Sequence, residues 1–528
     1  MDEFDYVVAG GGSAGCVVAG RLSEDPSTSV CLLEAGGAGD GWVVNTPAGI
    51  ALMVPTKINN WAFETVPQPG LDGRRGFQPR GKALGGSSAI NAMIYVRGHP
   101  RDYDHWASLG NRGWSYAEVL PYFKRSENNE EIQDEFHGVG GPLNVAGLRT
   151  DNPVPRLFIE AARQAQFRTA DDFNGAEQEG VGLYQVTQMN GERLSAARAY
   201  IEPHRSRRNL TVITGAAAMR ILFEGRRATG VEYRQNGRLA RARAHSEVIV
   251  SCGALQSPQL LMLSGIGDAT HLKQFGLGIV HHLPPVGRNL QDHVDFLFAY
   301  GSNSRDLFGI SLGGATRIAR EVGRYRRDGR GMLTSNLAEA GGFLKTDPAL
   351  PMPDIQLHFV VGRAIDHGRA MGLGHGFSCH VCVLRPKSRG YVALQSADPA
   401  APPLIDPKFF DDPADLAAMV KAFRLTRRIL EAPALAPLRT RDLLTAGVET
   451  DDQVRAVLRA RADTVYHPVG TCRMGTDDQA VVDPALRVRG VEALRVVDAS
   501  IMPTLIGGNT NAPTIMIAEK AVELIRKH

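Results

Sequence analysis

The chain has 528 residues, 43% hydrophobic and 22% charged, a composition typical of a globular protein with two or three domains. Its formal net charge of +3 does not favour nucleic acid as a partner. No apolar run reaches the ~18 residues that a membrane span needs. The acidic start passes at once into a predicted strand, so we expect no export signal and a cytoplasmic protein.

The N-terminus predicts one βαβ unit. A short apolar run leads into Gly10-x-Gly12-x-x-Gly15, a helical pattern follows, and a second apolar run, Val30 to Leu33, ends in Glu34. Gly10 permits a tight turn, Gly12 lets the backbone approach a pyrophosphate, and Gly15 allows close packing of helix and strand. Glu34 can accept hydrogen bonds from both hydroxyls of a ribose. The unit therefore predicts a bound dinucleotide, with its phosphates at the N-terminus of the helix.

A second glycine-rich stretch follows an excursion over residues 36–80 that is rich in Gly, Pro and Asn. The small residues from Gly85 to Ala89 allow backbone amides to face a ligand, and Asn91 adds a neutral polar group. The alternative is a glycine-rich loop without a ligand.

Farther on, Cys379-x-x-Cys382 is the only close cysteine pair in the sequence, and it lies in a predicted buried strand. Because no second ligand pair accompanies it, we expect no metal site.

Hydrophobic periodicity predicts the remaining elements. Helices are predicted within 103–130, from Gln259 to Ser264 with Ser257 and Pro258 at the start, from Asp412 to Glu431 and from Thr514 to Lys527. Strands are predicted at Leu210–Ile213, Met219–Phe223, Thr229–Tyr233, Val248–Ser251 and 375–384, at Ile355–Val361 as a half-buried strand, and at 494–498, ending in Asp498. Dinucleotide-type patterning returns near the end of the chain, which predicts a second domain inserted into the first.

Two late loops carry candidate catalytic residues. One contains Tyr466 and His467 followed by proline, and the other contains Asn509 and Asn511. A histidine in a loop is by itself most often a surface residue. The strand that ends in Asp498, together with the N-terminal fingerprint, places both loops near one cofactor.

Taken together, these motifs resemble those of the glucose–methanol–choline (GMC) oxidoreductases, in the same order and over nearly the full length. The resemblance rests on the fingerprint with Glu34, on 85–91, on 253–267, on 467–475 and on Asp498 with the Asn511 loop. Within the family the chain is similar to the choline-dehydrogenase-like branch, and there to the bacterial alkan-1-ol dehydrogenases that use an acceptor. The segments 60–63, 333–343 and 366–369 support that subgroup.

The resemblance implies an α/β fold: a Rossmann-like FAD-binding domain with an inserted α+β substrate-binding domain, built on a mostly antiparallel sheet. We expect the FAD-binding domain to comprise residues 1–155, 200–292 and 457–528, and the substrate-binding domain 156–199 and 293–456. The resemblance also implies FAD. Some relatives attach it through a histidine near Ala89, but Ala89 and Ile90 offer no atom for such a bond, so we expect non-covalent FAD.

The resemblance further assigns roles to single residues. Glu34 would bind the adenosine ribose, Asn91 would lie beside the flavin, and Asp498 would meet the pyrophosphate and ribityl chain. The expected cofactor-binding residues are Gly10, Gly12, Ser13, Ala14, Gly15, Glu34, Ala35, Trp61, Arg80, Gly85, Gly86, Ser87, Asn91, Ala92, Met93, Ala218, Tyr466, Asp498, Ala499, Asn509, Thr510 and Thr514. The expected catalytic residues are His467 and Asn511.

The expected reaction oxidises a primary alcohol to an aldehyde. His467 would take the hydroxyl proton and flavin N5 the hydride, and Asn511 would bind the substrate oxygen. The electrons would pass to a quinone or another acceptor. Alternatives are an oxidase of aryl or furan alcohols that gives H₂O₂ from O₂, a choline dehydrogenase in which Glu339 faces the cation, and a hydroxynitrile lyase-like enzyme.

A basic amphipathic segment raises the question of a membrane contact. Leu307 to Arg330 carries six arginines from position 317 onward, with apolar residues between polar positions. Such a segment can lie on an anionic membrane, where a lipid-soluble quinone would be met. This predicts peripheral association with the inner face of the membrane. The alternative, which we favour, is a solvated helix that covers the substrate domain.

Overall fold

The computed structural model describes residues 2–310, 314–366 and 374–527. Part of the 366–369 segment and residues 311–313 of the basic segment therefore lie outside the described residues. The helices are α1 (Ser13–Leu22), α2 (Trp42–Asn45), α3 (Ile50–Met53), α4 (Pro100–Ser108), α5 (Tyr116–Ser126), α6 (Val154–Gln164), α7 (Ala196–Tyr200), α8 (Gly253–Leu263), α9 (Ala269–Gln274), α10 (Gly314–Asp328), α11 (Pro413–Leu430), α12 (Asp451–Arg461) and α13 (Asn511–Arg526). Within the described residues, no helix is long and apolar enough to cross a membrane.

The strands are short and numerous. In chain order they are β1 (Asp2–Ala9), β2 (Val30–Leu33), β3 (Phe63–Glu64), β4 (Phe77–Gln78), β5 (Glu127–Asn129), β6 (Leu143–Val145), β7 (Gly180–Leu183), β8 (Gln188–Met189), β9 (Glu192–Arg193), β10 (Leu210–Ile213), β11 (Ala216–Glu224), β12 (Arg227–Gln235), β13 (Arg238–Val250), β14 (Ile266–Gly267), β15 (His281–His282), β16 (Arg288–Leu290), β17 (Val294–Ser302), β18 (Gly309–Ile310), β19 (Ala338–Leu344), β20 (Ile355–Val360), β21 (Gly374–Val383), β22 (Gly390–Ala393), β23 (Leu404–Asp406), β24 (Arg441–Asp442), β25 (Asp463–Thr464) and β26 (Leu494–Val496).

The first large sheet is parallel at its centre. Strands β10, β2, β1 and β13 lie side by side in that order, and β26 pairs with the end of β13. Ala9 is in register with both Leu33 and Val250, and Val250 is in register with Val496. The carboxyl ends of these strands therefore meet at one edge of the sheet, where a ligand binds in doubly wound folds. The hairpin β11–β12 extends the sheet beside the first half of β13.

The second large sheet is antiparallel. Its strand order is β24, β17, β21, β20, β19 and β7, and β18 and β25 pair with β21 and β17. The predicted fold class is thus confirmed. Strand β20, however, is buried along its whole length, whereas the alternation in 355–361 predicted one solvated face. Its polar side chains point into the protein, because Gln356 donates to Asn509 and His358 lines an internal cavity.

Each sheet has its own hydrophobic core. The first core joins β1, β2 and β13 to α1, α8 and α13, and the second joins β17, β20 and β21 to α6, α11 and α12. Helix α12, which the predicted boundary at 456/457 crosses, contributes Val454 and Leu458 to the second core. The division into 1–155, 200–292 and 457–528 against 156–199 and 293–456 stays a prediction.

Helix α8 differs from its predicted start. It begins at Gly253 rather than Gln259, so Pro258 lies inside the helix. A proline has no N–H, and the carbonyl four residues earlier therefore loses its helical partner. That carbonyl, of Ala254, accepts a hydrogen bond of 2.6 Å from the Thr471 hydroxyl. A side chain distant in sequence thus compensates for the proline, which periodicity along the helix cannot reveal.

Candidate active site

One large cavity lies between the carboxyl edge of the first sheet and a face of the second. Its volume is about 610 Å³. All of the predicted cofactor-binding residues line it except Gly15 and Gly85, and the two predicted catalytic residues, His467 and Asn511, line it too. Gly15 lies behind the surface, where a Cβ would come within 1.9 Å of the Gly10 carbonyl oxygen. Gly15 therefore serves packing, as the fingerprint predicts for the third glycine.

Three helix N-termini meet at one end of the cavity. They are the first residues of α1, α8 and α13, namely Ser13, Gly253 and Asn511, and all three line the cavity. A helix N-terminus carries about half a positive charge and backbone N–H groups without intrahelical partners, although at α8 the Gly253 N–H is bound by Asp498. The Ser13 hydroxyl donates to the Asn511 side-chain oxygen at 2.8 Å, which ties α1 to α13. This end suits a pyrophosphate, and the contribution of α8 was missed because its start was predicted too late.

Glu34 lies at the adjacent end of β2, where it is 6% exposed. Its two carboxyl oxygens accept hydrogen bonds from the backbone N–H groups of Gly11, at 3.0 Å, and Gly36, at 2.7 Å. Burial raises the pKa of Glu34 to about 7, against the effect of these hydrogen bonds. The carboxyl group therefore sits at the sheet edge in a fixed orientation, with one face on the cavity.

Asp498 follows β26 at the same edge. Its carboxyl group accepts hydrogen bonds from the backbone N–H groups of Gly253 and Ser500, each at 2.8 Å, and from the Ser257 hydroxyl. Burial raises its pKa. Asp498 therefore fixes the start of α8 against the end of β26, in addition to lining the cavity.

Hydrogen bonds with two side chains fix the backbone at Tyr466 and His467. Asp292 accepts a hydrogen bond from the backbone N–H of His467 at 2.8 Å, and Arg80 donates to the Tyr466 carbonyl at 2.7 Å. Tyr466 has a φ of +74°, an uncommon conformation for a non-glycine residue, and Met93 and Leu337 in the same cavity have φ of +58° and +68°. Strained backbone of this kind costs about 1–3 kcal/mol per residue and gathers at functional sites.

The His467 side chain contacts one residue at each ring nitrogen. His467 Nδ1 lies 2.9 Å from His293 Nδ1, and His467 Nε2 lies 3.3 Å from Asn509 Nδ2. Burial lowers the pKa of His467 well below its usual range, so the ring is neutral at pH 7. The Asn509 oxygen accepts from Gln356 Nε2 at 2.9 Å, which turns the Asn509 amide nitrogen toward His467.

The structure gives Asn511 and Asn509 different neighbours, and the catalytic role expected for Asn511 stays a prediction. Asn511 is the first residue of α13 and accepts a hydrogen bond from Ser13 of α1, whereas Asn509, in the loop before the helix, faces His467. The two asparagines are only two residues apart. Sequence spacing alone did not show that Asn509 lies in the loop and that Asn511 begins the helix.

The second sheet contributes side chains that sequence reasoning missed. His358 and His380 are cross-strand partners on β20 and β21, and both line the cavity. His380 Nδ1 lies 2.6 Å from an oxygen of buried Asp295, and burial lowers the pKa of His358 to about 4. The available signal was the regular placement of polar residues in the strand 355–361, which was interpreted as a solvated face.

Helix N-termini suited to a phosphate and a neutral, buried imidazole that line one cavity are the arrangement expected of a dinucleotide-dependent oxidoreductase.

Comparison with known proteins shows the family. GMC oxidoreductase family models match residues 4–295 and 386–518, so the chain belongs to the GMC oxidoreductases. It is a flavoprotein oxidoreductase that acts on CH–OH donors. Over 526 residues it is 48% identical to an alcohol dehydrogenase [acceptor] of Pseudomonas putida, covering 99% of this chain and 95% of that protein.

Two further proteins extend the comparison. The chain is 46% identical to the mitochondrial choline dehydrogenase of Homo sapiens, covering 99% of this chain and 90% of that protein. The crystal structure of pyridoxine 4-oxidase from Mesorbium loti superposes with a TM-score of 0.90 at 32% identity, covering 99% of each chain.

Proposed function

We propose that the protein is an FAD-dependent primary-alcohol dehydrogenase, with His467 as the base and a quinone or similar carrier as the acceptor. The observation that carries the proposal is the neutral, buried imidazole of His467, which turns Nε2 toward the cavity and Asn509. The name of the 48% identical relative supports the reaction class.

The cavity fits FAD. A Cβ at Gly12 would meet no atom closer than Ser251 O at 3.8 Å, so the backbone there is open toward a ligand. The three helix ends would bind the pyrophosphate, and Glu34 would accept the adenosine ribose hydroxyls. Ala89 is fully buried and Ile90 is 3% exposed, and neither side chain has an atom that could bond to the cofactor, which supports non-covalent binding.

The protein side chains then perform proton transfer and positioning. When bound, the isoalloxazine ring of FAD supplies the two-electron acceptor that amino-acid side chains lack. A substrate hydroxyl that contacts both His467 Nε2 and Asn509 Nδ2 from the cavity would donate to the imidazole and accept from the amide. His467 removes the hydroxyl proton, and Asn509 stabilises the negative charge that develops on the oxygen. Gln356 holds Asn509 in the donating orientation.

The surroundings of Glu339 bear on the choice between an alkanol and a quaternary ammonium. The cavity is lined by Leu337, Ala338, Val360 and Val465 and also by the aromatic residues Trp61, Phe308 and Tyr466. Glu339, expected to face the cation in a choline dehydrogenase, lies outside the lining, and its carboxyl oxygens accept hydrogen bonds from Ser335 and Thr150. These contacts support an uncharged primary alcohol as substrate.

An anaerobic alcohol panel tests the proposal directly. A primary alkanol should bleach the flavin absorbance of the holoenzyme, and His467→Ala should retain FAD but slow that bleaching about 10²- to 10⁴-fold, the usual contribution of a positioned base. A lyase would leave the flavin oxidised with every alcohol. Bleaching of His467→Ala at the wild-type rate would contradict the role of His467.

The acceptor needs a separate experiment. Admission of air after the anaerobic reduction measures peroxide and the rate at which the flavin colour returns. The dehydrogenase proposal expects slow return in air and fast return with a soluble quinone. Fast, stoichiometric peroxide would favour the oxidase alternative, and the structural neighbour that is 32% identical is named an oxidase.

Peripheral membrane contact through 307–330 is the less favoured of the two predictions for this segment. Arg320, Arg326 and Arg327 are exposed and would provide the charge. Leu307 is fully buried in the second core and Tyr325 is 8% exposed, which supports the solvated helix instead. Sedimentation with anionic vesicles at low and high salt, with wild type and the triple Arg→Gln variant at 320, 326 and 327, distinguishes the two.

A further inference from the structure

Next to the proposed base lies a second buried histidine, His293, which precedes β17 and is fully buried. The two imidazoles meet through their Nδ1 atoms, which are separated by 2.9 Å, and their ring planes are 88° apart. Two nitrogens at this distance share one proton, so one ring donates and the other accepts. Which ring donates decides what His467 can do at Nε2.

The other nitrogen of His293 settles the direction. His293 Nε2 lies 3.1 Å from the Leu384 carbonyl oxygen, which can only accept a hydrogen bond, so Nε2 carries the proton. Burial lowers the pKa of His293 to about 3, and the neutral ring has a single proton. Its Nδ1 is therefore an acceptor, and the proton between the two rings belongs to His467 Nδ1.

A neutral His467 protonated at Nδ1 has its lone pair on Nε2, the nitrogen that faces Asn509. With the opposite tautomer, Nε2 would carry a proton and could not accept one from a substrate. We propose that His293 is a positioning residue that selects the Nδ1–H tautomer of His467 and so prepares Nε2 to act as a base. This inference rests on the proposed function, in which His467 is that base.

The neighbouring Asp292 fixes the backbone of His467 rather than its ring. Its carboxyl group accepts from the His467 backbone N–H, and also from Thr464 Oγ1 at 2.7 Å and Gln78 Nε2 at 2.9 Å. The dipeptide 292–293 therefore holds His467 twice, at the backbone through Asp292 and at the ring through His293. Only the second contact can select a tautomer.

Two substitutions separate positioning from a purely structural role. His293→Asn keeps an acceptor oxygen near the position of Nδ1 but loses the donor to Leu384. His293→Gln can place an amide N–H near Leu384 but offers no acceptor at the position of Nδ1. Tautomer selection predicts that Asn preserves the function of His467 and Gln does not, whereas a structural role through Leu384 predicts the reverse.

The kinetic readout is the rate of flavin reduction by a saturating alcohol in the absence of oxygen. Wild type and variants are compared as holoenzymes that have the same FAD content and the same circular dichroism spectrum. His293→Gln should be slower by ~10²-fold or more, up to the ~10⁴-fold known for a wrong tautomer, and His293→Asn should be within ~10-fold of wild type. Equal rates for the two variants, or a faster Gln variant, would overturn the proposal.

A spectroscopic arm does not depend on activity. ¹⁵N-histidine NMR of the full chain distinguishes protonated from bare ring nitrogens, and His467→Gln identifies the His467 signals. Wild type and His293→Asn should show His467 protonated at Nδ1 and bare at Nε2, and His293→Gln should shift the proton toward Nε2. Wild-type His467 protonated at Nε2 would refute the inference, even if no alcohol reduces the flavin and the proposed function fails.

Discussion

Asn509 and Asn511 give the sharpest test of the site, because they are two residues apart and the structure gives them different neighbours. Asn509→Ala removes the amide N–H that faces His467 Nε2 at 3.3 Å. Loss of one donor to a developing oxyanion costs about 10²- to 10³-fold in rate, so flavin reduction should slow by that factor at unchanged FAD content. Asn511→Ala removes the side-chain oxygen that accepts a hydrogen bond of 2.8 Å from the Ser13 hydroxyl. Loss of one neutral hydrogen bond costs ~0.5–1.5 kcal/mol, or about 2- to 10-fold in FAD affinity.

The assay uses each variant as control for the other. FAD titration of apoprotein, followed by quenching of flavin fluorescence, gives the affinity, and anaerobic reduction at saturating FAD and alcohol gives the rate. We expect Asn509→Ala to change only the rate and Asn511→Ala only the affinity. If Asn511→Ala, once saturated with FAD, is reduced as slowly as Asn509→Ala, the assignment from the structure is wrong.

Three other results are expected. Gly12→Ala should fold but bind FAD about 1.5–3 kcal/mol more weakly, the value of a charge-assisted hydrogen bond. Gly15→Ala should lose folded protein, because its Cβ would lie 1.9 Å from Gly10 O. Circular dichroism and FAD titration check both variants, and equal behaviour of the two would argue against a pyrophosphate at Gly12. Burial raises the pKa of Glu34 to about 7, and the ionised carboxylate is the form that accepts hydrogen bonds from the ribose hydroxyls. FAD affinity should therefore be higher above that pH and lower beneath it. If Glu34→Gln shows the same dependence of FAD affinity on pH, Glu34 is not its cause. Acid denaturation should release all flavin into the supernatant, and colour that stays with the precipitate would indicate a covalent link.

The sequence predicted those parts of the fold that depend on local pattern. The strand ends at Gly10, Glu34 and Asp498 could be found because each follows a short apolar run, and parallel strands bring their carboxyl ends to one edge. Strand 210–213 and helix α5 were found from periodicity in the same way.

The missed residues all depend on contacts between segments far apart in the chain. The alternation at Gln356 and His358 was real, but only the position of β20 in the sheet shows that its polar face covers a cavity rather than water. His293 gains meaning only through His467, 174 residues later. The choice between Asn509 and Asn511 required the first residue of α13, and helix ends are the least regular part of any periodic pattern.

The proline inside α8 has a consequence for how substitutions combine. Thr471 lies in the same loop as His467, and its hydroxyl satisfies the Ala254 carbonyl that Pro258 leaves without a helical partner. In the native background Thr471→Val should destabilise the protein by about 1–3 kcal/mol, because a buried carbonyl is left unsatisfied. With alanine at 258 the helix supplies its own N–H to that carbonyl, and the same substitution should cost less. The two positions are therefore epistatic across 213 residues: the tolerance of the His467 loop to mutation depends on a residue in the helix that begins at the proposed phosphate site.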